Sequence, residues 1–153
     1  MTAPLIIRPL AGDDRQPWER LWEGYNAFYG RAGPTALARE ITDATWARFF
    51  DPVEPVHGLV AEADGQLLGL THYLFHRSTT ALPLTCYLQD LFTSEAARGQ
   101  GVGRALVEGV YAAAKAAGST WVYWQTHETN QVARTLYDKL AAHSGFIVYG
   151  KAV

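Results

Sequence analysis

Cysteine is nearly absent from this chain: Cys86 is the single one among 153 residues. That excludes an internal disulfide and any metal site built from cysteine thiolates. Its place inside an apolar run marks it as a core residue and not a nucleophile. Charge of one sign is scarce as well. The 13 Lys and Arg against 15 Asp and Glu leave a formal net charge of −2, which is no electrostatic footprint for nucleic acid or for an anionic membrane surface. No stretch approaches the ~18 consecutive apolar residues that a membrane span takes. Residues 1–10 lack a basic segment followed by a long apolar one, so no secretory signal is expected and the cytoplasm is the expected location. No spacing of His, Asp and Glu suggests a metal site, and no repeat, low-complexity tract or linker interrupts the chain.

What the sequence does have is core: 48% of residues are hydrophobic and 12% aromatic. A chain of this length buries about 68–70% of its unfolded surface, so a single domain over 1–153 is expected. In order, a short strand at 5–7 is closed by Pro9. Asp13, with Gln16 three residues on, is placed to cap a helix whose apolar stripe is Trp18, Leu21, Trp22, Tyr25, Phe28 and Tyr29. Most of that stripe reads as core, but Tyr25 and Tyr29, near its end, are candidates for facing a ligand. Thr35 is placed to cap a second helix running to about Phe50. Segments 59–63 and 66–75 flank Asp64-Gly65, the pair favoured by type I′ hairpins. Strands at 84–93, 121–126 and 146–153, with helices after the glycine-rich turn and from Asn130 to about Ala142, complete the order β-α-α-β-β-β-α-β-α-β, a mixed α/β architecture.

Residues 87–117 organise the rest. A buried strand ending at Thr93 leads into Arg98-Gly99-Gln100-Gly101-Val102-Gly103-Arg104, and helical spacing follows until Gly118. Glycines at alternate positions permit backbone angles that a Cβ forbids. Successive N–H groups then converge at the positive end of a helix, an arrangement suited to phosphate, with Arg98 and Arg104 bracketing it. The dinucleotide pattern G-x-G-x-x-G fails, because Arg104 stands at its last position, and no Gly-Lys-Ser/Thr of a nucleotide P-loop occurs.

The remaining pattern, Arg98-x-x-Gly101-x-Gly103 behind the strand Leu88-Gln89-Asp90-Leu91-Phe92-Thr93, resembles the acyl-coenzyme A-binding motif of the GNAT acetyltransferase superfamily. A second element, Asn130-x-x-Ala133-x-x-x-Tyr137-x-Lys139, is similar to that family's Asn-x-x-Ala…Tyr helix. With the element order, the resemblance covers nearly the whole chain, and it is strongest to the diamine (spermidine/spermine) acetyltransferase-like branch. Two departures stand out. Gln89 occupies a position where that branch carries Glu, and Leu140–Ser144 intervene before Gly145-Phe146.

The resemblance implies a single-domain mixed sheet with a splayed central strand pair, and direct transfer of an acetyl group from acetyl-CoA, a cosubstrate, to a primary amine of a small cationic molecule. It implies that Arg98, Gly99, Gln100, Gly101, Val102, Gly103 and Arg104 hold the CoA phosphates. Leu91, Phe92 and Thr93 would line the pantetheine slot, with an N–H near Phe92 at the oxyanion. Asn130, Ala133 and Lys139 would support the arm from the other side. Tyr137 is the expected acid at the leaving sulfur. An ordinary phenol lies above an ordinary thiol by about 2 kcal/mol of proton-transfer free energy, so hydrogen-bond donation is its alternative role. The base is open. Gln89 cannot ionise, and strict alternation puts it on the face opposite Asp90. Asp90 reads equally as a carboxylate for substrate, a water-relay base or a buried structural acid, and His72, His76, His127 and Glu128 are further candidates. Tyr25, Tyr29, Gln89, Asp90 and Glu128 form the expected acceptor site. The alternatives are transfer to a lysine or N-terminus of a protein or peptide, and a non-catalytic acyl-CoA-binding module. A homodimer through C-terminal strands is expected by analogy with relatives.

Overall fold

Side chains that alternate along the central strands feed two separate cores, one on each face of a five-stranded sheet. The structure, a computed structural model describing residues 3–153, orders the sheet as β1 (Ile6–Pro9), β2 (Val56–Ala63), β3 (Gln66–His76), β4 (Thr85–Thr93) and β5 (Val122–Tyr123). The first four pair antiparallel, and β5 lies parallel to β4. Under one face, α1 (Arg15–Phe28) packs Trp18, Leu21, Trp22 and Tyr25 against Val60 and Leu70, with Trp46 of α2 (Arg39–Arg48) at the margin. Under the other, α3 (Val102–Ala116) packs Leu106, Val107, Val110 and Ala114 against Leu59, Ala61, Tyr73, Cys86 and Leu88. Each such side chain buried contributes about 1.5–3 kcal/mol. Gly69 lets α3 come this close to β3, since a Cβ there would lie 2.8 Å from the Phe92 carbonyl and 2.9 Å from Val102 Cγ1. The helix α4 (Gln131–Leu140) follows β5, and the Tyr111 hydroxyl donates to the Leu140 carbonyl at 2.9 Å.

The β2–β3 hairpin forms as the Asp64-Gly65 pair dictates: both residues have positive φ, 54° and 76°, as a type I′ turn requires. Cys86 is fully buried in the α3-side core, and burial pushes its thiol up to about 11.

Several sequence expectations are corrected. Asp14, not Asp13, serves the start of α1: its carboxylate accepts from the Ala11 N–H at 2.7 Å and pairs with Arg8. Thr35 ends a short 3-10 turn, and α2 begins only at Arg39. The strand expected at 121–126 is reduced to Val122–Tyr123. The strand expected at 146–153 is absent; Phe146, Ile147, Val148 and Tyr149 lie outside regular secondary structure and are largely exposed. A strand exists only through a partner, and among the described residues no strand pairs with this segment.

Candidate functional site

The turn between β4 and α3 is built by two residues with left-handed backbones, Gly99 (φ 78°) and Gly101 (φ 80°). At both, a Cβ would meet only open space, so it is conformation and not crowding that demands glycine. Gly101 is the N-cap of α3, and the first backbone hydrogen bond of that helix runs from the Ala105 N–H to the Gly101 carbonyl at 3.0 Å. The N–H groups of Val102, Gly103 and Arg104 therefore lack helical partners and project from the positive end of a 15-residue helix. Arg98 donates to the Thr93 carbonyl at 3.4 Å and stacks over Phe92, while Arg104 pairs with Glu108 along the helix. These donors fit an anionic phosphate group.

Beside the turn the sheet parts. The β4–β5 ladder consists of Cys86 opposite Val122 and Tyr87 opposite Tyr123 and ends there. On its other edge β4 continues with β3 as far as Thr93 opposite Gly69. Leu91, Phe92 and Thr93 thus have a paired edge and an edge that faces a gap. This is the splayed strand pair the sequence led one to expect.

The residue that alternation misplaces is Asp90. Cys86 and Leu88 point into the α3-side core, so strict alternation sends Asp90 there too. The β3–β4 register shifts between His72 and Tyr73: Asp90 opposes His72, Leu88 opposes Tyr73, and Gln89 is the extra residue of a β-bulge. The bulge turns Asp90 to the α1 side and leaves Gln89 exposed. Nothing in the sequence marks this insertion.

Asp90 is buried there, 8% exposed, in a polar network. His72 Nδ1 lies 2.9 Å from Asp90 Oδ2, and the Trp18 indole N–H donates to His72 Nε2 at 3.0 Å. An indole nitrogen can only donate, so Nε2 is an acceptor and the proton sits on Nδ1, which donates to Asp90. With both nitrogens engaged, His72 is no free base. Tyr25 of α1 lies near this network; burial and the Asp90 carboxylate push its ionisation well above the tyrosine range. Tyr25 and Tyr29 rings lie 5.0 Å apart.

Tyr137 stands on α4. Burial and the neighbouring Tyr29 push its phenol up to about 12, and its ring meets Trp124 edge-on at 5.4 Å. Asn130 caps the same helix, its side-chain oxygen accepting from the Ala133 N–H at 3.4 Å. Lys139 is exposed in the last turn. Glu128 is exposed, its backbone carbonyl held by Arg134, and no contact draws its carboxylate toward Asp90. His76 is bonded to Tyr123 and His127 to Thr129, both exposed. Among the described residues, no group of three or more His, Cys, Asp or Glu side chains is placed to hold a metal ion.

Known proteins are similar to this chain in sequence and fold. The D-amino-acid N-acetyltransferase HPA3 of Saccharomyces cerevisiae is 33% identical over 147 residues, covering 95% of this chain and 89% of the relative. Among solved structures, the ribosomal-protein-alanine N-acetyltransferase of Brucella melitensis biovar Abortus superposes with a TM-score of 0.79 at 16% identity, covering 98% of this chain and 99% of the other. AAC(6')-Iy, solved with the bisubstrate analog CoA-S-monomethyl-acetylneamine, reaches a TM-score of 0.83 at 14% identity, with 99% of both chains covered. The model of the acetyltransferase (GNAT) family matches residues 18–142. The chain therefore belongs to the GNAT family of N-acetyltransferases, enzymes that use acetyl-CoA.

Proposed function

We propose that this enzyme transfers the acetyl group of acetyl-CoA directly to the primary amine of a small molecule, with Asp90 receiving the amine as an ammonium. The observation that carries this reading is the buried Asp90–His72–Trp18 network, on the strand that parts from β5 after Tyr87. A buried carboxylate with one oxygen already hydrogen-bonded to His72 keeps acceptor capacity for a cationic partner. The relative's activity on D-amino acids supports a small acceptor. The sequence-based preference for a cationic molecule of diamine type rests on Asp90, and Gln89, exposed and uncharged on the bulge, adds nothing to it.

In this reading the Gly99–Arg104 turn holds the CoA phosphates, and the free edge of Leu91–Thr93 holds the pantetheine arm opposite Asn130 and Ala133. Bound acetyl-CoA supplies an activated acyl group. Asp90 orients the amine nitrogen and relays its proton outward. Tyr137 donates a hydrogen bond toward the leaving sulfur. With its phenol near 12, complete proton transfer to an ordinary thiolate is uphill by about 5 kcal/mol, so donation and not ionisation is its role.

The protein works as one domain, and we place it in the cytoplasm and as a homodimer. The exposed apolar run Phe146–Tyr149 supports the dimer, because among the described residues no strand pairs with it. Sedimentation of the full chain against one ending at Gly145 checks this: only the shorter chain is expected to be monomeric. The acceptor is tested by acetyl-CoA-dependent thiol release over amino acids, polyamines, aminoglycosides and lysine peptides, with mass detection of the N-acetyl product. Turnover confined to lysine peptides would contradict a small-molecule acceptor.

A further inference from the structure

A fixed positive charge stands against Tyr25 and Tyr29, the tyrosines beside Asp90. Arg31 follows α1, and its guanidinium lies 5.9 Å from the Tyr25 ring centre and 5.4 Å from that of Tyr29. It is held from behind. Its Nε donates to Asn26 Oδ1 at 2.7 Å, its backbone N–H donates to the Asn26 carbonyl at 2.8 Å, and Asn26, 4% exposed, is itself tied to the Trp22 carbonyl. Among the described residues Arg31 forms no ion pair, and its two terminal nitrogens have no protein partner. A buried asparagine and two tyrosine faces therefore immobilise a guanidinium and leave its outer fork free. That geometry suits a planar anion, because the fork presents parallel donors at carboxylate spacing. Tyr25 stands near both charges: its ring is 5.9 Å from the Arg31 guanidinium, and the Asp90 carboxylate acts on its phenol.

We infer that Arg31 is a carboxylate-binding subsite of the acceptor pocket, so that the acceptor is a zwitterionic amino acid, its ammonium at Asp90 and its carboxylate at Arg31. This rests on the acetyl-transfer reading above and changes the expected acceptor from a cationic to a zwitterionic molecule. A polyamine places a second positive charge in the pocket, which Arg31 repels.

The test compares phenylalanine of either hand with phenylalaninamide and phenethylamine, each at saturating acetyl-CoA, on the wild-type protein and on Arg31→Gln. Wild type should favour at least one enantiomer of the amino acid over both carboxylate-free amines by about 10-fold or more in kcat/KM, the scale of a charge-assisted pair. The amide's less basic amine favours the amide chemically, so such a preference must come from binding. Arg31→Gln should raise KM for the amino acid by a similar factor and leave KM for phenethylamine and for acetyl-CoA within about twofold. Equal wild-type handling of acid and amide overturns the inference, as does a uniform loss across all acceptors in Arg31→Gln. Turnover of the amines without preference leaves acetyl transfer standing while this subsite falls. No turnover of any of these compounds overturns this subsite, and the acceptor screen above then decides the acetyl-transfer reading by itself.

Discussion

His72 Nδ1 and Asp90 Oδ2 lie 2.9 Å apart at the register pair that borders the β4 bulge. Trp18 on the far nitrogen fixes which way the imidazole donates, so His72 orients the Asp90 carboxylate. His72→Asn places an amide nitrogen near the Nδ1 position, and His72→Gln places one near Nε2. The first should keep kcat/KM within about 10-fold of wild type; the second should lose about 10- to 100-fold, the worth of a hydrogen bond to a charged group. Similar losses in both variants, tracking their melting temperatures, would reduce His72 to packing.

The phosphate turn depends on backbone shape. Gly101→Val puts a β-branched residue at φ 80°, a local cost of about 1–2 kcal/mol that the fold can bear. Free CoA should raise the melting temperature of wild type, since a ligand bound only by the native state stabilises it. Gly101→Val should fold yet show little or none of that rise. An undiminished CoA-dependent shift in the variant would remove the turn from cofactor binding.

Tyr137→Phe keeps the ring that packs on Trp124 and removes only the hydroxyl. It should leave CoA affinity within a few-fold and lower kcat by about 100-fold, the low end for a positioned donor. With the folded phenol near 12, Tyr137 stays protonated through the working range, so wild type should show no alkaline loss of activity from this group below about pH 10. The same raised value works against stability at high pH. The contribution is intact below the unfolded value of about 10 and is lost as pH climbs toward 12, because the unfolded chain releases the proton first. Tyr137→Phe should remove that part of the alkaline destabilisation. Wild-type turnover by the variant would make Tyr137 a packing residue.

The sequence disclosed what local chemistry determines. Asp64-Gly65 named its turn, the Arg98–Arg104 stretch named its strand–turn–helix context, and Trp18, Leu21, Trp22 and Tyr25 announced the α1 stripe. It did not disclose what depends on pairing between distant strands. The bulge at Gln89 belongs to the β3–β4 register, and with it the face that Asp90 takes; Trp18 read as plain core because its link to His72 spans 54 positions. Arg31, in a loop of small residues, carried no periodic signal. The 146–153 segment read as a strand because its β-branched and aromatic residues favour extension, but composition says nothing of where a partner lies.

The most direct measurement is the pH dependence of amine acetylation by wild type and Asp90→Asn, followed by thiol release from acetyl-CoA. Asn keeps the side chain's shape and removes its charge. At neutral pH the variant should lose about 100-fold or more in kcat/KM for the amine, with KM for acetyl-CoA within about twofold. Its activity should then climb toward wild type as pH rises, since each unit below the amine's own pKa makes about tenfold more free base that needs no proton relay. A variant that matches wild type at neutral pH, or one whose deficit is the same at every pH, would contradict the role given to Asp90.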